Sequence, residues 1–250
     1  MFAAIFCYLK GSARLRPSVP RQWLKPLDWK ICRELMQMGL PISGQVFLEF
    51  GAFAIGALLI GQFGAVALAA HQVTITCAAT TFMIPLGLAM AVSIRVGHTV
   101  GASELRRTYC LVLGAHVIAL LIMAVTAFTF ITAGEWLAGC FTPDLDVVKL
   151  AAELFIVVAF FQVFDGAQVV SMSALRGLKD VNLPTLIIFL SFWVGGIPFG
   201  AWLAFGRGLE ATGIWIGLAA GLAFAAIILT LRLVLKLKRC EPRSVTKAQD

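Results

Sequence analysis

Tyr109–Thr132 reads YCLVLGAHVIALLIMAVTAFTFIT, 24 consecutive residues without an Asp, Glu, Lys or Arg. A helix needs about 20 mostly apolar residues to cross the hydrocarbon layer of a bilayer, where only a helix or a closed barrel satisfies its own backbone. The run lacks the apolar–polar alternation of a membrane β-strand, so it reads as a helix that spans a membrane. Five other stretches have the same character: Leu35–Gln62, Ala67–Val96, Val147–Leu175, Pro184–Phe205 and Gly213–Leu237. The sequence therefore predicts an all-α integral membrane protein with six transmembrane helices. Several stretches exceed the minimum length, which implies tilt or a kink. Pro41 and Pro85 mark the expected kink positions.

Composition agrees with this reading. Of the 250 residues, 60% are hydrophobic and 13% charged, and the mean hydropathy is +0.92. Soluble domains carry about 25% charged residues. A soluble enzyme, a secreted domain and a disordered chain are excluded. The formal net charge of +7 is not a nucleic-acid signal, because the basic residues flank apolar runs and form no basic patch interleaved with aromatics.

Basic residues mark the cytoplasmic side of a membrane protein. With six spans, 18 of the 20 Lys and Arg fall on one side, leaving Lys149 and Arg207 on the other. Both ends of this chain are thus expected in the cytoplasm. Residues 35–237 form the six-helix lobe, and 238–250 a basic cytoplasmic tail. In residues 1–34, Met1–Leu9 reads as the end of a preceding membrane helix, followed by the basic linker Lys10–Arg33. Of the six cysteines, only Cys140 faces outside, so no external disulfide within the chain is expected.

Enzyme signatures are missing. There is no His-Glu-x-x-His, no phosphate loop ending in Gly-Lys-Ser/Thr and no Gly-x-Ser-x-Gly. His71, His98 and His116 lack ligand spacing. No enzymatic activity is expected, and no cofactor.

The informative residues are two acids inside spans, Glu49 and Asp165. A charge at the bilayer centre costs a few kcal/mol on the gentlest scale, so such groups face the protein interior and mark ion pathways. Counted from the cytoplasmic ends at about 1.5 Å per residue, the two lie at similar depth. Gln45 precedes Glu49 by one turn, and Gln162 and Gln168 flank Asp165 at three-residue spacing. Carboxylates with amide oxygens around them suit Na⁺, and buried carboxylates equally suit H⁺. Glu153, near the outer end of its span, reads as structural. His71 and Gln72 open the second span and read as interfacial, while Arg95 and Arg176 read as snorkelling anchors. Phe47, Phe50 and Phe161 are candidates for lining a site for aromatic drugs.

Eight segments in order carry a family resemblance: Gly39–Ile42, Phe47–Glu49, Leu68–Gln72, Met83–Leu86, Ser93–His98, Phe161–Val170, Leu175–Asp180 and Gly213–Leu218. With them the chain, from about Leu27 to Leu233, resembles the multidrug and toxic compound extrusion (MATE) antiporters, in particular the bacterial sodium-coupled branch. The resemblance implies twelve helices in two six-helix lobes around a central cavity, with drug leaving in exchange for an entering cation. Acids matching Glu49 and Asp165 then belong to the cation site of the second lobe, and the substrates are cationic, aromatic drugs. The chain matches the second lobe alone. Its partners are therefore the lipid bilayer and either a missing first lobe or a second copy. A lipid-linked precursor flippase of related fold and a non-transporting membrane scaffold are the alternative readings.

Overall fold

The computed structural model describes residues 28–240. The expectations for Met1–Leu9, for most of the basic linker and for the end of the basic tail lie outside the described residues. Six helices are long and apolar enough to cross a membrane. They are α1 (Trp29–Gly61), α2 (Ala65–Gly101), α3 (Leu105–Gly139), α4 (Leu145–Gly177), α5 (Asn182–Gly206) and α6 (Glu210–Cys240). Each covers one of the six expected spans, the first to within one residue at Gln62, and among the described residues there is no sheet. Residues 29–37 form the start of α1; the account below concerns the body that begins at Met38.

The connections are short, at residues 62–64, 102–104, 140–144, 178–181 and 207–209, so consecutive helices run antiparallel. Gly64 takes φ 106° in the first of them, a conformation open to glycine at little cost. Asp144 caps α4 by accepting a hydrogen bond from the Asp146 amide, which satisfies one of the orphan donors of a helix start. The α4–α5 turn is fastened to α6: buried Asp180 accepts from the Arg232 guanidinium at 2.7 Å and the Lys236 ammonium at 2.7 Å. Two residues that the charge count treats as orientation signals thus also tie helices together.

The helices run unbroken through Pro41 and Pro85. The backbone departs from helical geometry elsewhere, at Ala133 in α3 (φ −122°, ψ 18°). In α5 it widens into π-helical turns at Leu190–Gly196 and Trp202–Gly206. Pro198 follows the first of these. It lacks the N–H that would bond to the fourth residue back, and a wider turn is one way for a helix to absorb the loss.

The centre of the lobe is α4, which packs against α2, α3 and α6 and buries Leu154, Phe155, Val158, Val170 and Leu175. Apolar contact with lipid tails equals apolar contact with protein, so membrane helices associate through close backbone approach at small residues. The α5–α6 seam shows this clearly. Gly196 and Gly200 face Gly217 and Gly221, Gly213 lies against the backbone of Ala204, and a Cβ on Gly217 would lie 2.3 Å from the Gly200 Cα.

Candidate functional site

Glu49 on α1 and Asp165 on α4 lie on either side of the α1–α4 contact. Gln168, three residues after Asp165, reaches Glu49, and both acids are half-buried. This placement follows from two periodicities. On α1, Gln45 and Glu49 are one turn apart. On α4, Asp165, Gln168, Met172 and Arg176 follow at steps of three and four, which places them on one helical stripe.

The two stripes pair in antiparallel register. The Gln168 side-chain amide donates to Glu49 Oε1. One turn along, the Gln45 amide donates to the Met172 sulfur, and the Arg176 guanidinium donates to Gln45 Oε1 at 3.2 Å. Arg176 also lies close enough to attract Glu49. Gln162 turns to the other flank of Asp165 and donates to the Thr81 hydroxyl on α2. The result is a polar ladder through the lobe, with Asp165 between a glutamine that reaches α1 and one that reaches α2.

Three atoms on this ladder are bare, Arg176 Nε and two acceptors. Gln162 Oε1 and Gln168 Oε1 are buried with no hydrogen-bond partner. Uncompensated burial of a polar oxygen costs on the order of 1–3 kcal/mol, so oxygens left free beside two carboxylates are apt donors for a cation. Among the described residues, no group of three or more His, Cys, Asp or Glu could hold a metal ion. A cation here would rely on the two acids plus amide and backbone oxygens, the hard-donor set of an alkali ion rather than of zinc.

Above the acids the ladder ends against aromatic rings. Phe53, Phe161, Trp215 and Phe192 pack with centroid separations of 5.8–6.3 Å, and His71 lies 5.6 Å from Trp215. This corrects the interfacial reading of His71. It is 2% exposed, held inside by the large face of Trp215 rather than at the water boundary. The three candidate drug-lining phenylalanines divide. Phe161 is buried in the aromatic layer, whereas Phe47 and Phe50 lie on the far face of α1 from Glu49, 73% and 72% exposed. Glu153 is exposed, away from the ladder.

Sequence reading missed Thr81, Met172 and Arg176. The signal for the last two was present in the three–four spacing from Asp165. A helix-end arginine was read as a lipid anchor, although its guanidinium reaches inward by one turn. Thr81 carried no signal, since its role follows from which face of α2 meets α4.

The MatE family model matches residues 41–202. A probable multidrug resistance protein NorM of Xanthomonas campestris is 41% identical over 211 residues, covering 82% of this chain and 44% of that protein. The protein of the same name from Pseudomonas putida is 40% identical over 245 residues, covering 96% of this chain and 53% of its own length. The chain spans about half the length of the curated relatives it matches. In fold, the eukaryotic MATE transporter AtDTX14 superposes with a TM-score of 0.85 at 21% identity, over 97% of this chain and 55% of that one. The architecture is thus one six-helix lobe of the twelve-helix MATE fold. AtDTX14 is named as a transporter and the two NorM relatives as probable multidrug resistance proteins. By the match over residues 41–202, the chain belongs to the MatE family.

Proposed function

We propose that this chain is the second lobe of a secondary antiporter that exports cationic, aromatic drugs in exchange for Na⁺ or H⁺. It acts when paired with another six-helix lobe, a first lobe or a second copy, across a shared cavity. The observation that carries the reading is the ladder from Gln45 and Glu49 to Asp165, Gln168 and Arg176. Two carboxylates and one guanidinium leave a single negative charge in a low-dielectric setting. One monovalent cation cancels it, which makes the loaded lobe neutral at the ladder and cheaper to move through the membrane. Asp165 and Glu49 repel when the cation leaves, and this difference between loaded and empty states is what a coupling ion must supply. Gln162 and Gln168 contribute amide oxygens, and Gln45 holds Arg176 in place. The exposed Phe47 and Phe50 face of α1 supplies the drug-lining surface.

The test is ethidium efflux from proteoliposomes under an imposed Na⁺ or H⁺ gradient. The chain is assayed alone and co-assembled with a first lobe taken from a full-length relative. Efflux is expected only from the paired lobes, with the effective gradient identifying the ion. Efflux of equal rate from the isolated monomeric chain, or none from the pair under either gradient, would refute the reading.

Arg176→Gln tests the charge count. Removing the guanidinium leaves two negative charges to cancel, so cation uptake per transport cycle should rise from one towards two, read as a steeper dependence of efflux on cation concentration. An unchanged slope would separate Arg176 from coupling.

The lobe is proposed to lie in a bacterial inner membrane with both chain ends cytoplasmic. Cys140 and Cys110 are both exposed, near opposite ends of α3. In spheroplasts, an impermeant maleimide should label Cys140 and spare Cys110, Cys32 and Cys240. External labelling of Cys32 or Cys240 would invert the topology.

A further inference from the structure

Between α2 and α3, away from the ladder, lies a furrow of ≈ 270 Å³. Its sides are Leu88, Val92, Leu111 and Ile118, its floor includes Gly114 and Ala115, and Arg95 stands at one end. Residues 88–95 on α2 and 110–118 on α3 each make about two turns, so the furrow is roughly 12 Å long. That fits within one leaflet of a hydrocarbon core about 30 Å thick. Apart from Arg95 and the Cys110 thiol, the named walls are apolar, which leaves the bore with nothing to offer a polar solute.

The charged end is different. Arg95 is exposed, and among the described residues no acid pairs with it. Arg106 and Arg107 follow on the next helix start, and the one acid between the helices, Glu104, is engaged by Arg107 at 3.0 Å. An apolar slot one leaflet deep that ends at Arg95, a guanidinium without an acid partner among the described residues, matches a lipid with a negative headgroup. A zwitterionic headgroup would bring its own cation to the same guanidinium.

We propose that this furrow binds an anionic phospholipid, with one acyl chain along Leu88, Val92, Gly114 and Ile118 and the phosphate on Arg95. The site is separate from the coupling ladder and does not depend on the transport reading. A bound lipid would seal the α2–α3 seam and fix the end of α2.

The experiment is native mass spectrometry of the purified full chain in detergent with equimolar phosphatidylglycerol and phosphatidylcholine. One phosphatidylglycerol should be retained at least fivefold over phosphatidylcholine. Arg95→Gln removes the phosphate contact. Gly114→Leu fills the slot, and a Cβ at Gly114 meets nothing within 4 Å, so the new side chain starts from open space; retention of the monodisperse peak on size exclusion checks that the lobe stays folded. Each should cut retained phosphatidylglycerol at least fivefold. A smaller preference for the anionic lipid, or a smaller loss in either variant, overturns the proposal. Cys110 lines the furrow and gives a readout in the otherwise unsubstituted site. With the other cysteines replaced by alanine, N-ethylmaleimide should modify Cys110 at least fivefold more slowly in phosphatidylglycerol nanodiscs than in phosphatidylcholine nanodiscs. A smaller difference also overturns it.

Discussion

Asp165→Asn, in a two-lobe transporter containing this chain, should lower cation-driven ethidium efflux by a factor of ten or more, and Glu49→Gln should do the same. Each amide has nearly the volume of the acid it replaces, so helix packing is kept. The Gln168 amide, which donates to Glu49 Oε1, still finds an acceptor on a glutamine. What disappears is one of the two charges that hold the cation, and every 1.4 kcal/mol of lost binding is a factor of ten. Removing Glu49 leaves Asp165 and Arg176, further apart along α4, whose charges already sum to zero without a cation. Removing Asp165 leaves Glu49 to its neighbour Arg176, with the same result. In either variant the ladder no longer needs the ion. Membrane insertion should be unaffected or improved, because a charged side chain at mid-membrane is the costlier group. Glu153→Gln, at an exposed position, should leave efflux within twofold of the unsubstituted rate. The measurement is initial efflux rate at matched protein level in proteoliposomes. Unsubstituted rates in both the Asp165 and Glu49 variants would reduce the ladder to a structural hydrogen-bond network.

The six spans were legible because a bilayer imposes a length and a composition that no soluble segment of this chain shares. Tyr109–Thr132 alone suffices for one helix, and α3 contains all of it. Glu49 and Asp165 were legible for a related reason: burying a charge is expensive enough that two acids at one depth stand out. Helix distortions were not legible in the same way. Proline is the usual suspect, yet α1 and α2 carry theirs without interruption, while α5 redistributes its turns around Pro198 and a run of glycines. His71 shows a second limit. Its place near the start of a span suggested an interface, but whether a side chain two turns in meets water or a tryptophan depends on the neighbouring helix. Phe47, Phe50 and Phe161 show the same limit: periodicity gives their relation along one helix, and only packing reveals that the first two face outward while the third closes over the acids.

Gly217→Val should unfold or severely loosen the lobe. A Cβ at this position would fall 2.3 Å from the Gly200 Cα, 2.5 Å from the Gly196 carbonyl oxygen and 2.5 Å from the Gly200 amide nitrogen. All three are backbone atoms of α5, so no side chain can swing aside, and relief requires the two helices to separate. Overpacking in ordinary cores costs about 1–3 kcal/mol, and a clash with backbone on three sides belongs at or beyond the top of that range. For a chain of this size, ~3 kcal/mol corresponds to a fall in melting temperature of about 10 °C. Thermal unfolding in detergent, followed by fluorescence-detected size exclusion, should show a fall of that size or no folded peak. Gly87→Ala is the matched control, since a Cβ there meets nothing within 4 Å and alanine is the better helix former by about 1 kcal/mol. Its melting temperature should hold or rise. Equal melting of the Gly217 variant and the unsubstituted chain would mean that α5 and α6 do not approach as described. The consequence reaches the ladder as well. Trp215 sits two residues before Gly217 on α6 and packs against Phe53, Phe161 and His71, so pushing α6 away from α5 also shifts the aromatic layer over the acids. Gly217→Ala carries the same Cβ, so its folded fraction should also show lowered efflux although both carboxylates are in place.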